Sequence, residues 1–205
     1  MTASNAVPGF SPSANGFRFA NRFEPGPTVR FGPLDPRMIG IGDAAGGLCG
    51  GMAWFVRERF ESGLAIPPDD VAPANGSTLF RTIVRRQVRS LDWLATPVRF
   101  WWMGAFGAGP AGRRTRDREW PSVRAAVDGG RLSRLGLVRH HGLNPLAMKA
   151  DHQVLASGYD VDDDAITIHC YDPNWPGRDD VTLTIDADGI RQSTGEALIG
   201  WFRID

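Results

Sequence analysis

Helical and strand patterns occupy different parts of this chain of 205 residues, and that separation constrains its fold more than any other feature. After Cys49, Met52, Phe55, Val56 and Phe60 recur at spacings of three and four, and Gly63 supplies a stop, so a helix is expected from Cys49 onward. A second helix is expected over 77–94, capped by Ser77, with Leu79, Ile83, Gln87 and Leu91 on one stripe. An aromatic stretch over 98–106 and a segment over 121–128, opened by Pro121, read as two shorter helices. The pattern then changes: 135–138, 152–159, 165–170, 181–185 and 198–204 read as strands joined by turn-rich connections. Helices first and strands last predict an α+β architecture, a helical lobe over about 37–130 packed on an antiparallel sheet lobe over 131–205. Residues 1–36, rich in Pro, Gly, Asn and Ser, read as an irregular arm with one strand marked by Phe17, Phe19 and Phe23.

Composition bounds the function. Basic and acidic side chains balance at 23 each, which argues against nucleic acid as a main partner, because phosphate binding draws on an excess of Lys and Arg. Local basic clusters at Arg85, Arg86 and Arg89, and at Arg113, Arg114, Arg116 and Arg118, read as solvated faces. No stretch approaches the roughly 20 apolar residues of a bilayer span, and the polar N-terminus carries no secretory signal, so a soluble cytoplasmic chain with no membrane partner is expected. Cys49 and Cys170 are expected as free thiols. Metal or cofactor binding is not expected: there is no CxxC or HExxH, and His140-His141 lacks a spaced partner.

The segment Gly46-Gly47-Leu48-Cys49-Gly50-Gly51 carries the chemistry. A cysteine opening a helix gains thiolate character from the helix dipole and the free N–H groups of the first turn. Flanking glycines such as Gly50 keep the approach open and let backbone N–H groups meet an oxyanion. The competing reading is a buried structural cysteine at a tight turn. Downstream, His152 opens one strand and Asp172 follows the next. A hairpin of those strands would make them spatial neighbours, the carboxylate orienting an imidazole that faces the thiol. A plain cross-strand pair is the alternative.

The order Cys49, His152, Asp172, with the cysteine on the first long helix and the other two on a later sheet, resembles the papain-like cysteine peptidases. The histidine strand followed by Tyr171-Asp172-Pro173 looks most like the bacteriocin-processing peptidase domains of double-glycine-leader exporters. The likeness covers about 40–60 and 150–180 and leaves 65–130 unmatched. It implies a cysteine hydrolase with an acyl-enzyme mechanism, acting on a small-molecule or peptide acyl substrate: Cys49 attacks, His152 shuttles the proton and Asp172 orients. Such enzymes usually place a glutamine shortly before the cysteine to complete the oxyanion hole, and here that position is Asp43. This departure motivates two alternatives, a papain-like binding module without catalysis and an acyl or amine transferase with the same triad.

Other features carry second readings. Asn174 is an alternative orienter, set against a simple turn in Pro-Asn-Trp-Pro-Gly. Cys170 alternates with Ile166 and Ile168 and reads as a core thiol. Asp160, Asp162, Asp163 and Asp164 read as a solvated hairpin turn, without the spacing of a calcium loop. Trp93, Trp101, Trp102 and Trp120 are read as core, with a substrate cleft as the alternative.

Overall fold

Alternating apolar residues in the last third give the molecule an antiparallel sheet, seen here in a computed structural model that describes residues 2–25, 44–92, 95–163 and 165–204. The strands are β1 (Ala3–Ala6), β2 (Ser133–Val138), β3 (His152–Asp162), β4 (Ala165–Tyr171), β5 (Thr182–Asp186), β6 (Gly189–Gln192), β7 (Ala197–Leu198) and β8 (Gly200–Arg203). Their order is β7-β6-β5-β4-β3-β2-β8. One edge of β3 is shared in series: β2 pairs with its first half and β1 with its second, Ala3 opposite Val161. In β4 the residues Ile166, Ile168 and Cys170 turn inward, and Leu183 and Ile185 do so in β5, as period-two patterning requires.

The helices are α1 (Pro12–Asn15), α2 (Cys49–Glu61), α3 (Thr78–Ser90), α4 (Ala95–Phe106), α5 (Ala108–Arg114) and α6 (Trp120–Asp128), with a π-helical turn over Thr115–Glu119 between the last two. Helices and antiparallel sheet together make the α+β class. One core cluster runs from Val7 to Trp201 and joins α2, α3 and α6 to the sheet. A smaller one, built from Phe100, Met103, Ala111, Val138 and Phe202, lies where α4 and α5 meet β2 and β8. Strand β2 is buried along its whole length because Leu135 and Leu137 enter the first cluster and Val138 the second.

Three expectations change. Phe17, Phe19 and Phe23 do not form a strand; the early strand is β1, and the three rings pack in irregular chain against one another, Phe55 and Phe80. Their alternation reflects burial alone, since no neighbouring strand pairs with that stretch. The described part of the expected arm, 2–25, is accordingly built into the core. Helix α3 keeps its predicted cap, with Phe80 N–H donating to Ser77 Oγ at 3.2 Å, but its buried residues are Phe80, Ile83, Val84 and Ser90. The stripe is turned from the predicted one, and Trp93 and Leu94 lie outside the described residues. Finally, the stretch after 107 is helical. Its half-buried arginines have structural partners: Arg114 pairs with Glu119, Arg116 donates to the Asp186 carbonyl, and in α3 Arg86 pairs with Glu58.

Glycines at the start of α2 set how closely it packs. A Cβ on Gly51 would come 2.3 Å from the Ile83 carbonyl oxygen of α3, and one on Gly50 would come 2.5 Å from Gln153 Oε1 of β3. The helix propensity lost at two glycines, roughly 1 kcal/mol each, is thus offset by contact that no larger residue permits. Gly51→Ala should therefore separate α2 from α3 and destabilise the fold by about 1–3 kcal/mol, lowering the urea midpoint. An unchanged midpoint would show that the helices are not in backbone contact.

Candidate active site

Cys49 is the first residue of α2, following a short 3-10 turn at Ala44–Gly46 and a left-handed Gly47 at φ +85°. The left-handed backbone demands glycine there, and a Cβ would also come 2.6 Å from Asn21 Nδ2. Asn21 fastens this loop. Its Oδ1 accepts from Leu48 N–H at 2.5 Å, its Nδ2 donates to Asn174 Oδ1 at 3.1 Å, and its own N–H donates to the Pro173 carbonyl at 2.8 Å. The segment before the cysteine is thereby tied to the loop after β4. Gly51 N–H donates to Gln87 Oε1 at 2.8 Å. The N–H groups of Cys49 and Gly50 open the first turn of α2, where a helix offers its amides no internal acceptor.

Strands β3 and β4 supply the other two groups. Leu155 pairs with Tyr171, so the hairpin brings the start of β3 beside the residue just past β4. His152 Nε2 lies 2.7 Å from Asp172 Oδ1, and both residues are buried, 4% and 1% exposed. The carboxylate is an acceptor only, so Nε2 carries the proton of that bond and Nδ1 is left as the ring nitrogen that can meet Cys49, the other charged group acting on His152. The N–H of Gln153 also reaches the sulfur. Asp172 is fully occupied: Oδ1 accepts in addition from Asn174 N–H at 2.8 Å, and Oδ2 accepts from Gln192 Nε2 at 2.6 Å.

Electrostatics in this cluster favour an ion pair. Burial raises the Cys49 thiol, but the adjacent His152 charge and hydrogen bond outweigh it and bring the thiol below its ordinary value. Burial lowers His152, but the charges of Asp172 and Cys49 overcome it and raise the imidazole to about 10. Burial likewise raises Asp172, and the His152 charge and three hydrogen bonds bring it below the usual carboxylate range. Cys170, by contrast, is driven well up by burial and sits in the core as expected.

The structure brings Cys49, His152 and Asp172 together as the hairpin argument requires. Asp172, not Asn174, takes the His152 hydrogen bond; the Asn174 side chain accepts from Asn21 and its backbone N–H holds Asp172. Gly50 faces inward, against Gln153 and Ser90, and its small size serves packing. Asp43 lies outside the described residues. His140 bonds Asp151 at 2.9 Å, and among the described residues no group of three His, Cys, Asp or Glu side chains could hold a metal. Trp120 is core while Trp101 and Trp102 remain partly exposed. Asp160 of the acidic hairpin bonds His169. No helix among the described residues is long and apolar enough to cross a membrane. Sequence reasoning missed Asn21 and Gln192. Asn21 sat in the supposed arm, and Gln192 alternates with Ile190 in a four-residue strand too short to mark. No family model, curated protein or solved structure matches the chain.

The thiol should therefore ionise below its ordinary value, since the histidine charge persists through neutral pH. Alkylation of Cys49 by iodoacetamide, followed by peptide mass spectrometry to separate it from Cys170, should stay fast at pH 6. In His152→Ala burial and the Asp172 charge raise the thiol, opposed only by the Gln153 N–H, so its apparent pKa should rise above the ordinary value and the rate at pH 6 should fall by up to about ten-fold for each unit gained. Equal profiles for the two proteins would refute the pairing.

Proposed function

We propose that this chain is a cysteine hydrolase of papain-like architecture in which Cys49 is the nucleophile, His152 the general base and acid, and Asp172 the orienting carboxylate. The observation that carries this reading is the buried His152–Asp172 hydrogen bond at 2.7 Å beside a Cys49 thiol that opens α2 and is electrostatically coupled to the same imidazole. Nucleophilic catalysis needs that connection, because a histidine held in one tautomer can keep the sulfur ionised and then return a proton to the leaving group.

The reaction then follows in two halves. The Cys49 sulfur adds to a substrate carbonyl, and the oxyanion meets the Cys49 N–H at the positive end of α2. His152 protonates the departing amine or alcohol as the carbonyl carbon releases it, leaving a thioester on Cys49. Water, deprotonated by His152, attacks the thioester, and the thiolate leaves with the imidazolium restored. The side-chain amide that lies against Gly47 is that of Asn21, and it stands in the role that an upstream glutamine fills in papain-like enzymes. Its Oδ1 is held by Leu48 N–H and one Nδ2 proton by Asn174 Oδ1, which fixes the amide and leaves its second Nδ2 proton for the oxyanion.

An activated ester tests the reading directly. p-Nitrophenyl acetate should release nitrophenol in a burst and leave an acetyl group on Cys49, which water or an added amine then removes. Asn21→Asp keeps the acceptor for Leu48 N–H and removes the donor, so acylation should slow by about 10²–10³-fold, the scale of a lost oxyanion donor. Alkylation by iodoacetamide forms no oxyanion, and at a pH where the thiolate is complete it should be unaffected. A wild-type protein that alkylates at Cys49 but never acylates would remove the hydrolase assignment.

A further inference from the structure

The buried Asp172 carboxylate is gripped from two sides, and only the His152 side belongs to the triad. On the other, Gln192 Nε2 donates to Oδ2 at 2.6 Å from the end of β6, and Gln192 is itself 2% exposed. Its carbonyl oxygen Oε1 accepts from Arg139 Nη2 at 2.8 Å. The same Arg139 nitrogen lies 3.6 Å from Glu196 Oε1. The backbone around Gln192 is also closed: its N–H donates to the Glu196 carbonyl, and its own carbonyl accepts from Gly195 N–H at the β6–β7 turn.

A glutamine amide can lie either way round, and a carboxylate would reject its oxygen. Arg139 removes the choice. A guanidinium only donates, so Oε1 must face Arg139 and the NH₂ must face Asp172. The amide also separates the two charges. A guanidinium placed directly on Asp172 would bind it bidentately and compete with the imidazolium for the same oxygens. Through the neutral amide, Arg139 polarises the donor while the carboxylate keeps its full charge for His152. The titratable groups facing Asp172 are His152 on β3, Cys49 on α2, and Cys170 and Tyr171 on β4, with Arg139 and Glu196 beyond Gln192.

Resting on the Cys49–His152–Asp172 reading above, we infer that Gln192, locked in orientation by Arg139, is a positioning residue for catalysis, holding Asp172 at the angle that aims His152 at Cys49. This gives the β6–β7 hairpin, whose Gln192 meets Arg139 just past β2, a part in the active site. It also ties three segments distant in sequence to one carboxylate.

The test is the pH profile of Cys49 alkylation by iodoacetamide, which requires no substrate, run with urea midpoints as a check on folding. Gln192→Leu keeps the approximate volume and removes the donor, so the acid limb should move up by about one pH unit, a roughly ten-fold lower rate at a fixed pH on that limb. Arg139→Met frees the amide to turn over and should shift the limb the same way, while Arg139→Lys retains a donor for Oε1 and should restore most of the wild-type profile. That rescue separates positioning from a general loss of stability, and the Arg139 pair decides the matter if Gln192→Leu does not fold. If His152→Ala abolishes low-pH reactivity while Gln192→Leu and Arg139→Met leave the profile in place, the triad stands and this inference is wrong. If His152→Ala also changes nothing, the triad reading itself has failed, and the inference with it.

Discussion

An ionised carboxylate in a place with almost no water is the constraint around which the sheet end of this molecule is organised. Asp172 is 1% exposed, and a charge so placed is tolerated only when its oxygens are saturated by donors. Those donors come from four sources: the imidazole at the start of β3, the backbone two residues on, the amide at the end of β6, and at one remove the guanidinium after β2. Oδ1 is shared by the imidazole and the Asn174 N–H, whereas Oδ2 depends on the Gln192 amide, so losing that amide leaves a buried charged acceptor without its donor. The carboxylate therefore fixes the relative register of the β3–β4 hairpin and the β6–β7 hairpin, and the imidazole inherits its direction from that register.

The other half of the site is set by close approach. Gly50 and Gly51 let α2 press on β3 and α3, which places the first turn of α2, and so the thiol, against the histidine. Asn21 then joins the loop before Cys49 to the loop after Asp172 by hydrogen bonds to Leu48, Asn174 and the Pro173 carbonyl. The N-terminal segment thus closes the junction between helix and sheet. A single core cluster reaching from Val7 to Trp201 keeps the two halves from moving independently.

Much of this was legible in the sequence. The helix beginning at Cys49, the cap at Ser77 and the β3–β4 hairpin followed from periodicity and turn chemistry, and the hairpin alone placed Asp172 beside His152. What stayed hidden has physical causes. The Phe17, Phe19 and Phe23 alternation looked like a strand because burial of every second aromatic has the same period as a pleat, and only pairing tells them apart. The helix running through 108–128 was masked by Gly109, Pro110 and Gly112, residues that usually break helices but here sit near its first turn. Gln192 and Asn21 act through contacts across 20 and 27 residues of sequence respectively, with Asp172 and Leu48. Neither carries a local pattern, because an amide in a short strand or loop looks the same whether it faces water or a buried carboxylate.

The central claim is that His152 is held as an imidazolium by Asp172 on one side and a Cys49 thiolate on the other. Its ring nitrogens, followed by ¹⁵N NMR from pH 5 to 11, report this most directly. Both nitrogens should remain protonated through neutral pH and the ring should lose its proton only near about 10, with the transition moving down in Cys49→Ser. A ring that titrates close to the ordinary histidine value of 6.5, and does so equally with and without the thiol, would contradict it.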